Sequence, residues 1–402
     1  MEAAAPSIRH DARILCLVGA GHFASHFYNL ALPPLFPLLK DEFGVDYLML
    51  GLIMTLFNGA SAVVQIPVGF LVDRIGARPV LVAGLVIEAS AIGLMAFSSS
   101  IGALLVLAVA AGAGNSVFHP ANYAILNSAI DHKRIGRAFS LHTFAGHLGT
   151  ALAPMTVIGL TALWDWRTAL AVLAAGGLAV AAFLAGGREL AAAAPGKRKR
   201  REERQADGGP QDGFALLLSA PMLAFFLFFM MTSMTSNGIR SFSVVSLVSL
   251  FDTPLALAST ALTGFLFATA AGILVGGIAI DRTSRPELLA AGAFVLTAAI
   301  ILVVGSVSLP GVLLFALFTL AGLCQGVVRP ARDMMVRAVA PAGATGKAFG
   351  FVSTGLNIGG AMSPVLFGWI VDLGDARWVF WLLAGFMIVA LATLAVPARR
   401  RS

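Results

Sequence analysis

All seven histidines of this chain precede residue 148, and two of them, His22 and His26, stand four apart. On a helix that spacing puts both imidazoles on one face, with Asn29 close to it. Imidazole changes charge near neutrality, so such a pair in an apolar segment is suited to taking up and releasing a proton. The spacing also suits zinc, but no carboxylate or cysteine of the segment completes a site, and neither a metal nor another cofactor is expected. His119 and Arg329 each precede a proline. A proline inside a membrane helix frees a carbonyl and opens the backbone, and such breaks line pathways. Asn122 lies just beyond the first of them.

The other polar groups inside apolar runs are Asn58, Gln65, Glu88, Asn115, His142 and His147 in the first part of the chain. Asn237, Arg240, Gln325, Arg332, Asp333 and Asn357 follow in the second. Each is costly in lipid and must face a cavity or a partner. Arg240, Arg329 and Arg332 are suited to contacting an anion. Arg329, Asp333 and Arg337 are spaced by four, a ladder that occupies Asp333. Glu88 needs a cationic partner or a proton, and ranks below the histidines. Nowhere do a nucleophile, a metal set or an acid/base pair cluster as an enzyme requires. No GxxxxGK[ST] phosphate loop is present, which disfavours ATP-driven pumping.

The elements that must position these groups are membrane helices. Of 402 residues 58% are hydrophobic and 12% charged, and the mean hydropathy is +0.89, outside the range of soluble domains. About 20 residues cross a bilayer as a helix, so the length accommodates twelve crossings and little else. The expected spans are 14–39, 48–72, 80–98, 101–126, 138–161, 168–187, 222–249, 258–280, 287–305, 311–333, 345–371 and 378–397. Cys16 and Cys324 fall inside apolar runs, which argues against a disulfide. The formal charge of +7 is not spread as nucleic-acid binding would require: 21 of the 27 Lys and Arg fall on one side of the expected topology. The positive-inside rule then puts both termini and the basic segment 188–213 in the cytoplasm of a cell whose inner membrane holds the chain. The first apolar run lacks a cleavage site and is expected to be a retained helix.

The chain is internally duplicated. At a constant offset of 210 residues Ala111, Gly112, Pro120, Ala121, Gly136, Ala138 and Phe139 meet identical residues, as do Gly149, Pro154, Asp165 and Arg167. Six spans per copy give both copies the same orientation. The expected domains are 1–187 and 214–402, each a six-helix bundle, joined by the linker 188–213.

Two loops carry a signature at matched positions. GFLVDRIGARP at 69–79 supplies Gly69, Asp73, Arg74, Gly76 and Arg78; GGIAIDRTSRP at 276–286 supplies Gly277, Asp281, Arg282 and Arg285 without the inner glycine. The pair resembles the GxxxDRxGRR signature of the major facilitator superfamily, in which the glycine lets helices pack closely and the charges latch one conformation. LPPLFPLLKDEFG at 32–44, GAGNSVFHPANYA at 112–124 and RAFSLHTFAGHLGTALAP at 137–154 are similar to its fosmidomycin-resistance branch. Gly146, Gly149 and Pro154 partly match the antiporter motif of its fifth helix, with Ala153 replacing a glycine.

The resemblance implies an all-α integral membrane fold of twelve helices in two pseudo-symmetric halves. It also implies proton-driven export of a small anionic or amphipathic compound such as an antibiotic. The partners expected are that compound, protons and the bilayer, for a chain acting as a monomer. Uptake of an organic anion or metabolite is equally compatible with the fold, and a transporter-like sensor is the reading of another class.

Overall fold

In the computed structural model, the described residues are 8–131, 134–187, 190, 219–283, 285–339 and 345–398. They form fourteen α-helices and no strand. The helices are α1 (Ile8–Asn29), α2 (Phe36–Phe43), α3 (Tyr47–Ile75), α4 (Ala77–Met95), α5 (Ile101–Asn115), α6 (Phe118–Ala129), α7 (Ile135–Leu163) and α8 (Trp166–Gly186). They continue as α9 (Ala220–Phe251), α10 (Leu255–Asp281), α11 (Pro286–Ser306), α12 (Gly311–Val339), α13 (Thr345–Asp372) and α14 (Arg377–Ala398). Ten segments are long and apolar enough to cross a membrane, α5 and α6 counting as one; α1 and α14 complete twelve helical segments of membrane length. The chain is a multi-pass all-α membrane protein.

Two of the expected spans differ from the observed helices. The first was expected over 14–39, but α1 starts at Ile8 and ends at Asn29, and a short 3-10 turn at Pro33–Leu35 leads into α2. Hydropathy continues through this stretch, whereas Pro33 and Pro34 lack the N–H groups that would continue the helix. The fourth span breaks into α5 and α6 at Ser116 and Val117. Pro120 cannot donate to the carbonyl four residues back, that of Ser116, so the ladder parts there. The break expected at the equivalent Pro330 does not occur, because α12 runs unbroken through Arg329 and Pro330.

Packing separates two compact units, one of Met1–Leu35 with Leu56–Gln205 and one of Phe36–Thr55 with Ala206–Ser402. Within the first, α1 packs on α7, and α4 on α5 and α8; within the second, α9 packs on α13, and α11 on α12 and α14. The duplication seen in the sequence is thus repeated in the pairing of helices. It extends to single atoms. A Cβ on Gly112 would collide with the backbone of Phe57, and one on the equivalent Gly322 with that of Phe265. Gly149 meets the Phe23 carbonyl, and its equivalent Gly359 meets that of Met230. Each copy therefore uses glycine where two backbones must approach closely.

Helix ends are fixed by side chains named in the repeat. Asp165 caps α8, accepting from the Thr168 amide and hydroxyl, both at 2.8 Å. These donors hold its carboxyl below the usual carboxylate range. Arg167 donates to the carbonyls of Ala96 and Ser98, tying α8 to the end of α4. In the second unit, Asp372 at the end of α13 accepts from the first amides of α3, Tyr47 at 2.9 Å and Leu48 at 2.6 Å. Thr55 on the same helix donates to the Ala361 carbonyl.

Candidate functional site

Five imidazoles converge in the first unit. His22 stacks on His142 with ring centroids 3.8 Å apart, and lies 4.4 Å from His26 and 5.6 Å from His119. His26 stands 6.4 Å from both His119 and His147. Tyr123 borders the group, 5.7 Å from His119 and 6.1 Å from His142. Three helices supply them: α1 carries the pair spaced by four, α6 begins at the break before His119, and α7 carries His142 and His147. The glycines of α7 make this possible. A Cβ on Gly146 would fall 2.7 Å from the His22 ring and 3.1 Å from that of His26, so glycine leaves the imidazoles room to stand where they do between the two helices. Pro154 is accommodated inside α7 without breaking it.

Hydrogen bonds fix part of the proton inventory. His147 Nδ1 lies 2.9 Å from the Thr143 carbonyl, which only accepts, so this nitrogen is the donor. Thr150 Oγ1 lies 3.2 Å from both the Gly146 carbonyl and His26 Nδ1. By contrast His22 Nδ1, both ring nitrogens of His142 and both amide atoms of Asn122 are buried without a hydrogen-bond partner among the described residues. Buried polar atoms are nearly always satisfied, so this concentration of unsatisfied ones sets the cluster apart from an ordinary helix seam. Asn29 is half-buried at the end of α1, three residues beyond His26.

A second polar node adjoins it. Glu88 on α4 is fully buried, and its Oε1 accepts from Asn115 Nδ2 at 2.9 Å, while Oε2 has no hydrogen-bond partner among the described residues. The same amide lies 3.4 Å from the Ser25 carbonyl, and Ser61 donates to Asn115 Oδ1 at 3.3 Å. Ser25 in turn donates to the His22 carbonyl. The carboxyl thus has a neutral amide as its partner, and that amide joins it to the turn of α1 lying between His22 and His26.

In the second unit Arg240 on α9 donates from Nη2 to Asn237 Oδ1 at 3.0 Å and from Nε to the Ser236 carbonyl at 3.2 Å. Asn237 is held by Ser233, whose hydroxyl donates to Leu356 on α13. Arg332 lies over the Phe229 ring, 4.2 Å from its centroid, and Arg329 is half-buried. The side chains of Asp333 and Arg337, and with them the expected ladder, lie outside the described residues.

The residues of the two signature loops stand in different surroundings. Gly76 takes φ +96° between α3 and α4, a left-handed conformation that glycine adopts without strain. Arg78 donates to the Ala185 carbonyl and fastens α4 to the end of α8. Asp73 and Arg74 are exposed. In the second copy Arg285 stands at the N-terminal boundary of α11 without a side-chain cap and its amide is held by Thr283 Oγ1, Arg282 is exposed, and the side chain of Asp281 lies outside the described residues. Gly69 and Gly277 have open space beside them; the close approach expected of Gly277 is made by Gly276, whose Cβ would meet Val327 of α12. Which of two adjacent glycines faces the neighbouring helix is set by packing.

Among the described residues no group of His, Cys, Asp or Glu is arranged to hold a metal ion. Twelve helical segments, a duplicated bundle and buried polar clusters define a membrane transporter fold. The sequence model of the Major Facilitator Superfamily matches residues 18–260 and 223–402, and the chain belongs to that family of transporters, which are not enzymes. It is 26% identical over 394 residues to the fosmidomycin resistance protein of Escherichia coli (strain K12), covering 96% of this chain and 93% of that one. The multidrug resistance protein MdtH of Klebsiella pneumoniae (strain 342) is 27% identical over 351 residues, 85% of this chain and 83% of that protein. A bacterial homolog of the human lysosomal transporter Spinster, in an inward-facing and unoccupied conformation, superposes with a TM-score of 0.80 at 15% identity, over 98% of both chains. The nucleoside transporter NupG superposes with a TM-score of 0.77 at 17% identity, over 97% of this chain and 99% of that one. The last two establish the fold.

Proposed function

We propose that this transporter exports a small anionic or amphipathic compound in exchange for protons. The observation that carries the reading is the convergence of five imidazoles from α1, α6 and α7, with the ring nitrogens of His142 and Nδ1 of His22 unsatisfied. Two stacked imidazoles cannot both be cationic at little cost, so a proton arriving at one is shared or passed on. Glu88, linked to α1 through Asn115, is the second acceptor. Arg240 supplies the anion contact: Asn237 and the Ser236 carbonyl hold its guanidinium, and both are neutral, so its positive charge is available to a ligand. Arg329 and Arg332 add to the same positive potential. The resistance proteins named above support export of antibiotic-like compounds. The rest of the proposal is the topology: six-helix halves at 1–187 and 214–402, a cytoplasmic linker at 188–213, both termini cytoplasmic, and a monomer in the bacterial inner membrane. The signature charges and the glycines of α7 serve the conformational cycle.

Everted vesicles energised by respiration test this. Adding anionic antibiotics, fosmidomycin among them, is expected to collapse the pH gradient in vesicles carrying the wild-type chain and not in those carrying His22→Ala with His119→Ala. An unchanged gradient with every compound would count against export by proton exchange.

A further inference from the structure

Asn237 of α9 holds Arg240, and its amide can stand only one way round. Nδ2 lies 2.9 Å from the Ser233 carbonyl, which only accepts, so that end is the nitrogen. The other end meets Arg240 Nη2 at 3.0 Å, and a guanidinium only donates, so that end is the oxygen. Two neighbours thus fix the amide independently. Nδ2 also lies 3.2 Å from Ser233 Oγ, whose hydroxyl donates to the Leu356 carbonyl of α13 at 2.6 Å. A Cβ on Gly360 of α13 would stand 3.4 Å from Nδ2. The amide is therefore seated between the two helices, and position 237 demands an acceptor toward the guanidinium and a donor toward the carbonyl. Leucine offers neither. Aspartate, of the same shape, offers acceptors at both ends and a negative charge.

The guanidinium carries five N–H groups. Nε gives one to the Ser236 carbonyl and Nη2 gives one to Asn237, so three remain, two on Nη1 and one on Nη2. Nη1 and Nη2 together form the end of the fork that meets two oxygens of one oxyanion in parallel. Both groups that hold Arg240 are neutral, and among the described residues no carboxylate pairs with it. We infer that Asn237 is the specificity-determining residue of the pathway: it holds one edge of Arg240 with a neutral oxygen, which leaves the other edge for an oxyanion and the charge uncancelled. The inference rests on the reading of Arg240 as the anion contact. It carries a switch. Asn237→Asp exchanges one atom and puts a counter-ion where the amide stood, so an arriving oxyanion meets a neutral pair with a carboxylate beside it.

Equilibrium binding to the purified whole chain in detergent, with fosmidomycin and its uncharged phosphonate diester as probes, reads the switch. The wild type is expected to bind fosmidomycin about tenfold or more tighter than the diester, the worth of one charge-assisted contact. Asn237→Asp removes that preference and leaves the diester affinity as in the wild type. Arg240→Gln removes the same preference, and joining the two substitutions removes no more, because Asn237 acts through Arg240. Asn237→Ala, which keeps the charge but releases the guanidinium, lowers fosmidomycin affinity by a smaller factor and serves as the test should the aspartate variant not fold. A preference that survives Asn237→Asp, or full fosmidomycin affinity in Asn237→Ala, while Arg240→Gln has lost it, would overturn the role of Asn237 and leave the anion contact standing. A preference that survives Arg240→Gln as well would overturn both. Equal loss of the two probes in Asn237→Asp would reduce Asn237 to a packing residue.

Discussion

Replacing Gly359 by alanine probes how tightly the second bundle is closed. The new Cβ would stand 2.5 Å from the Met230 carbonyl oxygen, whereas ordinary contact begins at 3.4 Å, so the α9 and α13 backbones must part by about 0.9 Å. Two hydrogen bonds cross that seam, Ser233 to the Leu356 carbonyl at 2.6 Å and Ser363 to the Met234 carbonyl at 3.0 Å. Lengthened by about 0.9 Å they reach roughly 3.5 and 3.9 Å, at and beyond the limit of useful bonding. Losing both costs about 2 kcal/mol, and overpacking adds about 1–3 kcal/mol. Gly146→Ala makes the contrast. Its Cβ would meet the His22 ring at 2.7 Å, and a ring moves where a backbone cannot: about 0.7 Å relieves it, at the expense of the stack on His142. Thermal unfolding in detergent is therefore expected to show a clear fall for Gly359→Ala and little change for Gly146→Ala, while proton-driven transport is lost in Gly146→Ala. An unfolding midpoint for Gly359→Ala equal to the wild type would refute the packing argument.

Three further expectations follow from the site. Glu88→Gln keeps an acceptor for Asn115 and should unfold like the wild type, whereas Glu88→Leu strands that amide and loses about 1–3 kcal/mol; both should lower gradient-driven transport at least tenfold in vesicles. Arg240→Gln removes a charge-assisted contact of about 1.5–3 kcal/mol, which weakens apparent affinity for an anionic substrate roughly 10- to 150-fold, with unfolding unchanged; equal loss for a neutral substrate would argue against an anion contact. Asp165 has a folded pKa below its unfolded value, so its cap stabilises fully above the ordinary carboxylate pKa of about 3.9 and is lost only as pH falls through the lower folded value. Asp165→Asn should accordingly leave the pH profile of transport between about 5.5 and 8 unmoved.

Much of the fold was legible because it rests on local signals. Apolar runs of membrane length located the twelve segments, and the constant offset between Gly112 and Gly322, or Gly149 and Gly359, announced the duplicated packing. The helix ends at Asn29 and Ser116 were less visible, since hydropathy does not register where a backbone ladder stops; Pro33, Pro34 and Pro120 were the signals available. Of the site, the facing of His22 and His26 follows from their spacing alone. The recruitment of His142 and His147 does not. They lie five apart on α7, about 140° around the helix, and both reach the cluster only because His22 and His26 of α1 lie against it. The Glu88–Asn115 bond joins α4 to the end of α5 across 27 residues of sequence, and no local pattern encodes it.

The central claim is that the imidazole cluster carries the coupling proton, and separating exchange from energised transport tests it most directly. Proteoliposomes holding His22→Gln with His142→Gln are expected to exchange substrate down its own gradient at near the wild-type rate, and to show no transport driven by an imposed pH gradient. Gradient-driven transport that persists in this variant would place the coupling elsewhere.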